Sequence, residues 1–159
     1  MLPEAYIQQQ LAERRQILKD IHAIILANDK TVTAVVEPMM GKEMIIYKGK
    51  GLMKYGLASV RNYMSLHVLP MYMSPKIYDR YKTLLSGANF QKGCINFSGG
   101  AEMPLNIVQQ LIIDCAAVDL VKIKNDYLQA KKKVKQAPAP ITPGNKNAVK
   151  IAKSSVNKK

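Results

Sequence analysis

From residue 3 to residue 28 the apolar side chains Ile7, Leu11, Leu18, Ile21 and Ile25 recur at helical spacing, with Ile17 and Ile24 widening the stripe. The pattern predicts one long amphipathic helix whose other side, bearing Glu13, Arg14, Arg15, Lys19 and Asp20, faces water. His22 falls between the two sides and reads as structural. Asn28 and Asp29 are stop residues, after which Val32, Val35 and Val36 predict a short second helix ahead of Pro38.

The period then changes to two. Residues 44–47 form an apolar strand, "KGKG" at 48–51 a turn, and residues 52–59 alternate, with Met53, Tyr55 and Leu57 opposite Lys54 and Gly56. After a turn around Arg61 and Asn62, residues 63–68 send Met64, Leu66 and Val68 to one face and Tyr63, Ser65 and His67 to the other. Three antiparallel strands are predicted here.

Ser74 offers an N-cap, Pro75 suits the first helical position, and Ile77, Tyr81, Leu84 and Leu85 carry a helix to a stop at Gly87. "KGCINF" at 92–97 is one more strand, and "SGGAEM" after it a loop. From Pro104 the positions Val108, Leu111, Ile112, Cys115 and Val118 predict a final core helix that runs toward the lysines beyond Tyr127.

Composition adds a division. The 159 residues, 48% of them hydrophobic, suit a single core. The formal charge of +13 is unevenly placed. Residues 1–130 hold 15 Lys/Arg against 11 Asp/Glu, whereas residues 131–159 hold nine lysines and no acid. That last stretch is rich in Lys, Pro, Ala and Asn, and its few large apolar residues do not offset an ordering cost of roughly 1–2 kcal/mol per residue, so a disordered tail is expected. The reading is one domain over residues 1–130 followed by the tail.

Two cysteines, Cys94 and Cys115, far apart and with no histidine near either in sequence, suggest neither a disulfide framework nor a zinc signature. No secretory leader and no apolar run of membrane-spanning length is present, so a cytoplasmic protein with no membrane partner is expected.

Several words set in this order carry a resemblance: Tyr47-Lys48-Gly49-Lys50 after the first strand, Ser65-Leu66-His67 in the third, Lys92-Gly93-Cys94-Ile95-Asn96-Phe97 in the fourth, and Pro104-Leu105 opening the last helix. Together they resemble the YdhG-like domain family, a bacterial group of largely unknown function. The resemblance implies an α+β fold in which an antiparallel sheet carries helices from both chain ends. It also implies, through a frataxin-like branch of the family, intracellular iron handling. The chain differs from the family in reading Gly41-Lys42-Glu43 where members have Gly, a variable residue and Pro.

Four residues are the candidate ligand site: His67 and Tyr63 on one strand face, with Tyr47 and Lys54 on neighbouring strands. Imidazole near neutral pH donates or accepts and an ammonium fixes charge, so such a face suits a small anionic or metal-bound ligand. The plainer reading of His67 is a hydrogen-bonded structural histidine at a helix and sheet junction. An iron carrier should gather carboxylates, whereas here only Asp114, Asp119 and Asp126 lie near one another. No nucleophile, base and orienting group converge, so an enzyme is not expected and no cofactor beyond iron is considered. Both cysteines sit in apolar contexts and read as inert small hydrophobes. "SGG" at 98–100 lacks the spacing of a P-loop and reads as a plain loop.

The lysine tail is the remaining signal. Lys131, Lys132, Lys133, Lys135, Lys146, Lys150 and Lys153 form a polycation that resembles linker-histone tails and suits sequence-independent contact with nucleic acid. The expected function is a non-enzymatic domain that binds a small ligand or a protein partner and carries this basic arm.

Overall fold

The computed structural model describes residues 1–136, in two units that part between Ile123 and Lys124. The first unit is an α+β fold with a six-stranded, wholly antiparallel sheet. Its strands are β1 (Thr33–Met39), β2 (Lys42–Gly49), β3 (Leu52–Ser59), β4 (Met64–Val68), β5 (Asn89–Gln91) and β6 (Cys94–Phe97), in the order β1-β2-β3-β4-β6-β5.

Helices α1 (Pro3–Gln8) and α2 (Ala12–Asn28) replace the single N-terminal helix that the periodicity predicts. The break has a local cause. A continued helix would bond the Gln10 N–H to the Tyr6 carbonyl; instead that N–H goes to Ile7 and the Gln10 side-chain amide takes the Tyr6 carbonyl at 2.8 Å. Leu11 leaves the core stripe and stands exposed. Arg14, placed by the sequence on the watery side, is buried: its guanidinium donates to Ser59 Oγ at 2.9 Å and to the carbonyl of Val60, tying α2 to the β3–β4 turn.

The second helix expected near Val35 is a strand, β1. Thr31, Val32, Thr33, Val35 and Val36 are β-branched and favour extended backbone. Met40 and Gly41, both at positive φ (50° and 79°), then turn the chain tightly into β2, and Lys50 with Gly51 repeat that geometry between β2 and β3 (52° and 77°). Such two-residue turns match the twist of paired strands. Pro38 is tolerated because β1 is an edge strand.

The first sheet face carries the main core. Ile45, Tyr47, Tyr55, Leu57, Leu66, Val68, Ile95 and Phe97 pack there with Leu18, Ile21 and Ile25 of α2. Val108, Leu111, Ile112 and Cys115 of α5 (Leu105–Ala116) complete that core. Each such side chain contributes roughly 1.5–3 kcal/mol when fully buried. Between β4 and β5 lie the short α3 (Leu69–Met73) and α4 (Pro75–Leu84), the latter capped as expected by the Ser74 hydroxyl accepting from Ile77 N–H. The final helix is interrupted after Ala116, and α6 (Leu120–Gln136) starts anew, its first turn held by Asp119 Oδ1 accepting from the N–H groups of Val121 and Lys122.

In the second unit α6 runs through residues 124–136, so Lys131, Lys132, Lys133 and Lys135 are helical rather than part of a disordered tail. Lys, Ala and Gln are strong helix formers, and lysines in a last turn complement the helix dipole. The rest of the expected tail, with Lys146, Lys150 and Lys153, lies outside the described residues. No helix among the described residues is long and apolar enough to cross a membrane.

Candidate functional site

The second face of the sheet carries a different set of side chains. Met44, Ile46 and Ala58 form a small cluster there with Val35, Met39 and Met53, all of them strand residues. Strand pairing sets Gly56 opposite His67 and His67 opposite Cys94; one row on, Ala58 pairs with Ser65 and Ser65 with Asn96. A cavity of about 230 Å³ opens on this face, walled entirely by strands β1–β6 and the turns between them.

His67 and Cys94 meet at its wall, with Nδ1 of the imidazole 2.9 Å from Sγ. Burial holds the imidazole pKa below its ordinary 6.5 and pushes the thiol above 9.0. Burial thus favours the neutral form of both groups, and the two share one hydrogen bond. Beside them the Ser65 hydroxyl is buried without a hydrogen-bond partner on the wall of the same cavity. A buried, unpaired hydroxyl is costly, about 1–3 kcal/mol, unless something that enters the cavity satisfies it.

Gly56, paired with His67 across β3 and β4, lies between His67 and two methionines on this face. A Cβ at Gly56 would lie 2.6 Å from Met53 Cε, 3.3 Å from Met44 Sδ and 3.4 Å from His67 Cβ, so three side chains converge over the one residue that has none. Imidazole, thiol and thioether thus share one sheet face.

The four ligand candidates of the sequence are divided by the sheet. Tyr63 and His67 share the cavity wall. Tyr47 and Lys54 do not, because both turn toward the helices. Tyr47 is fully buried, its hydroxyl hydrogen-bonded to His22 Nδ1 at 2.7 Å, while His22 Nε2 faces Glu4 at 3.8 Å. Burial raises the Tyr47 pKa and lowers that of His22.

Lys54 is displaced by a β-bulge. The register between β2 and β3 shifts after Tyr47, leaving Lys54 as the extra residue between Met53 and Tyr55. Strict alternation would put Lys54 with Gly56; the bulge instead aims it beside Tyr55 at Asp29, 2.8 Å away. Asp29 also accepts from Tyr55 Oη at 2.7 Å and from the Thr31 N–H at 3.0 Å. Burial raises the Asp29 pKa, but the hydrogen bonds from Lys54, Thr31 and Tyr55 outweigh it and hold the carboxyl below 3.8.

Cys94, read as inert from its neighbours in sequence, is the partner of His67. Cys115 does match that reading: it is buried against α2 and the sheet, its thiol pushed up to about 12 by burial. The acids do not gather. Asp114 binds Arg80 and Tyr81, and Asp119 binds Lys50 and the start of α6, whose Lys122 N–H holds its pKa down. No group of three or more His, Cys, Asp or Glu side chains converges among the described residues. At "SGG" the Ser98 N–H donates to Glu102 at 2.8 Å, so the loop satisfies itself.

Compared with protein-family models, curated proteins and solved structures, the chain matches none.

Proposed function

We propose that the first unit is a cytoplasmic, non-enzymatic, YdhG-like domain that binds a small ligand on the strand-walled face around His67 and Cys94. The observation that carries this reading is the Ser65 hydroxyl, buried and unpartnered on the same cavity wall as the His67–Cys94 pair. An apolar wall with a few convergent polar groups is the ordinary composition of a small-molecule site. The cavity supplies Met39, Met44 and Ala58 as apolar wall and Tyr63, Ser65, His67 and Asn96 as polar anchors. The YdhG-like words in β4 and β6 supply Ser65, His67, Cys94 and Asn96.

Iron handling is less well supported, since Asp114 and Asp119 are engaged by neighbours and no acid lines this cavity among the described residues. The lysine-rich end adds sequence-independent affinity for nucleic acid: Lys131, Lys132, Lys133 and Lys135 are all exposed on α6.

The test is fluorescence titration with anilinonaphthalene sulfonate, an apolar anion suited to an apolar wall with Lys42 on it. One saturable site is expected in the wild type and none in Ser65→Leu, which fills the cavity from its floor, with circular dichroism confirming that the variant is folded. Equal binding by the folded variant would overturn the reading.

A further inference from the structure

In the second unit α6 presents apolar and cationic side chains together. Tyr127, Ala130 and Val134 fall at i, i+3 and i+7 and so line one side of the helix, with Leu128 widening the line beside Tyr127. These groups stand exposed, Tyr127 at 60%, Leu128 at 45% and Val134 at 74%. Between residues 124 and 135 they are accompanied by Lys124, Lys131, Lys132, Lys133 and Lys135, against the single acid Asp126. Lys131 shows how the two sets meet: its Nζ lies 5.9 Å from the centre of the Tyr127 ring, which sets the charge at the border of the apolar line.

A partner for this surface must be anionic and must also take apolar side chains. A second copy of the helix would set five lysines against five and be repelled. Duplex nucleic acid held by its phosphates takes the lysines but leaves Tyr127, Leu128 and Val134 with nothing to bury against. An acidic protein groove asks for large anchors at i, i+3 or i+4 and i+7, and the middle position here is only Ala130. A lipid surface of negative headgroups meets both demands, because tyrosine and aliphatic side chains enter the headgroup boundary while lysines reach the charge outside it. No helix among the described residues can cross a bilayer, but lying in its surface asks only for an apolar line with cationic flanks.

We propose that α6 binds an anionic lipid surface, lying in the plane of the headgroups with Tyr127, Leu128 and Val134 inserted and its lysines against the lipid charge. A peripheral membrane partner thus takes the place of the expected absence of one, and it does not depend on the cavity around His67. Each lysine near such a surface strengthens retention about fivefold. Salt screens that part and leaves the apolar part in place, so binding should weaken with salt.

The test is co-sedimentation of the full chain with vesicles of phosphatidylcholine alone and of phosphatidylcholine mixed with phosphatidylserine. Retention is expected on the mixed vesicles at low salt, weaker at high salt, and absent on phosphatidylcholine. Lys131→Gln, Lys132→Gln and Lys133→Gln together should weaken it about a hundredfold. Tyr127→Gln with Val134→Gln, which keeps helix-forming residues, should weaken it about tenfold and leave affinity for duplex DNA unchanged, since only the lipid takes the apolar groups. Tyr127→Phe with Val134→Leu should bind as the wild type does, and circular dichroism checks that every variant is folded. No retention on the mixed vesicles, as a helix made for an acidic protein groove would show, or equal retention on both kinds overturns the assignment. So does retention unchanged in the Tyr127→Gln and Val134→Gln chain, which would leave α6 a plain polycation.

Discussion

The Lys54 ammonium lies 2.8 Å from the Asp29 carboxylate with both side chains withdrawn from water, at 6% and 0% exposure. The pair joins the end of α2 to the bulge of β3, and the ammonium also donates to the Ala116 carbonyl at the end of α5, 3.3 Å away. Removing one member strands the other charge in the interior. Asp29→Asn or Lys54→Met is therefore expected to cost about 3–5 kcal/mol in urea unfolding, whereas the double substitution should cost less than the two added together. Additive losses would show that the charges do not depend on each other.

The same carboxylate gives stability a pH dependence. Its folded pKa lies below the 3.8 of the free group, so its contribution is fully present above that value and is lost as pH falls through the folded pKa. Acid titration of unfolding free energy should show this loss in the wild type and a flatter limb in Asp29→Asn. His22, whose folded pKa is also depressed, removes stability as pH drops below 6.5, because the unfolded chain takes up the proton first.

A methyl group at Gly56 tests how tightly the open face is packed. Gly56→Ala drives Cβ against Met53 Cε and Met44 Sδ, both near the ends of flexible side chains. A cost of about 1–3 kcal/mol is expected, with the fold retained and anilinonaphthalene sulfonate binding weakened as the methionines shift. Undiminished binding would mean that the space over Gly56 is not part of the site.

The basic end is tested through salt. Changing Lys131, Lys132, Lys133 and Lys135 to Gln in the full chain should lower the slope of log affinity for duplex DNA against log salt by up to about 3–4, at about 0.9 per lost phosphate contact. An unchanged slope would place the contacts elsewhere.

Local chemistry was legible in the sequence where one segment decides its own conformation. Ser74 and Pro75 announce the start of α4, and the alternation from Met64 to Val68 sorts β4 onto two faces, with Met64, Leu66 and Val68 all fully buried. What escaped depends on more than one segment. The spacing of Val32, Val35 and Val36 fits a helix, but their β-branched side chains and pairing with β2 across the Met40–Gly41 turn make the segment a strand. Strict alternation also places Lys54 wrongly, because a bulge of one residue reverses the side on which it falls. His67 and Cys94 stand 27 residues apart, and their contact follows from β6 pairing with β4, an adjacency that no local pattern encodes. A usable signal was present even so: Ser65 with His67, and Cys94 with Asn96, each fall two residues apart and so share a strand face.

Amide and methionine-methyl NMR shifts recorded during a titration of the labelled full chain with anilinonaphthalene sulfonate test the central claim most directly, since they locate the ligand. The account requires the saturable changes to fall on Met44, Met53, Ser65, His67 and Cys94, and to leave Leu18, Ile21 and Leu111 under the opposite face unmoved. Changes centred instead on the small cavity beside Lys50 and Asp119, with the strand-walled face silent, would contradict it.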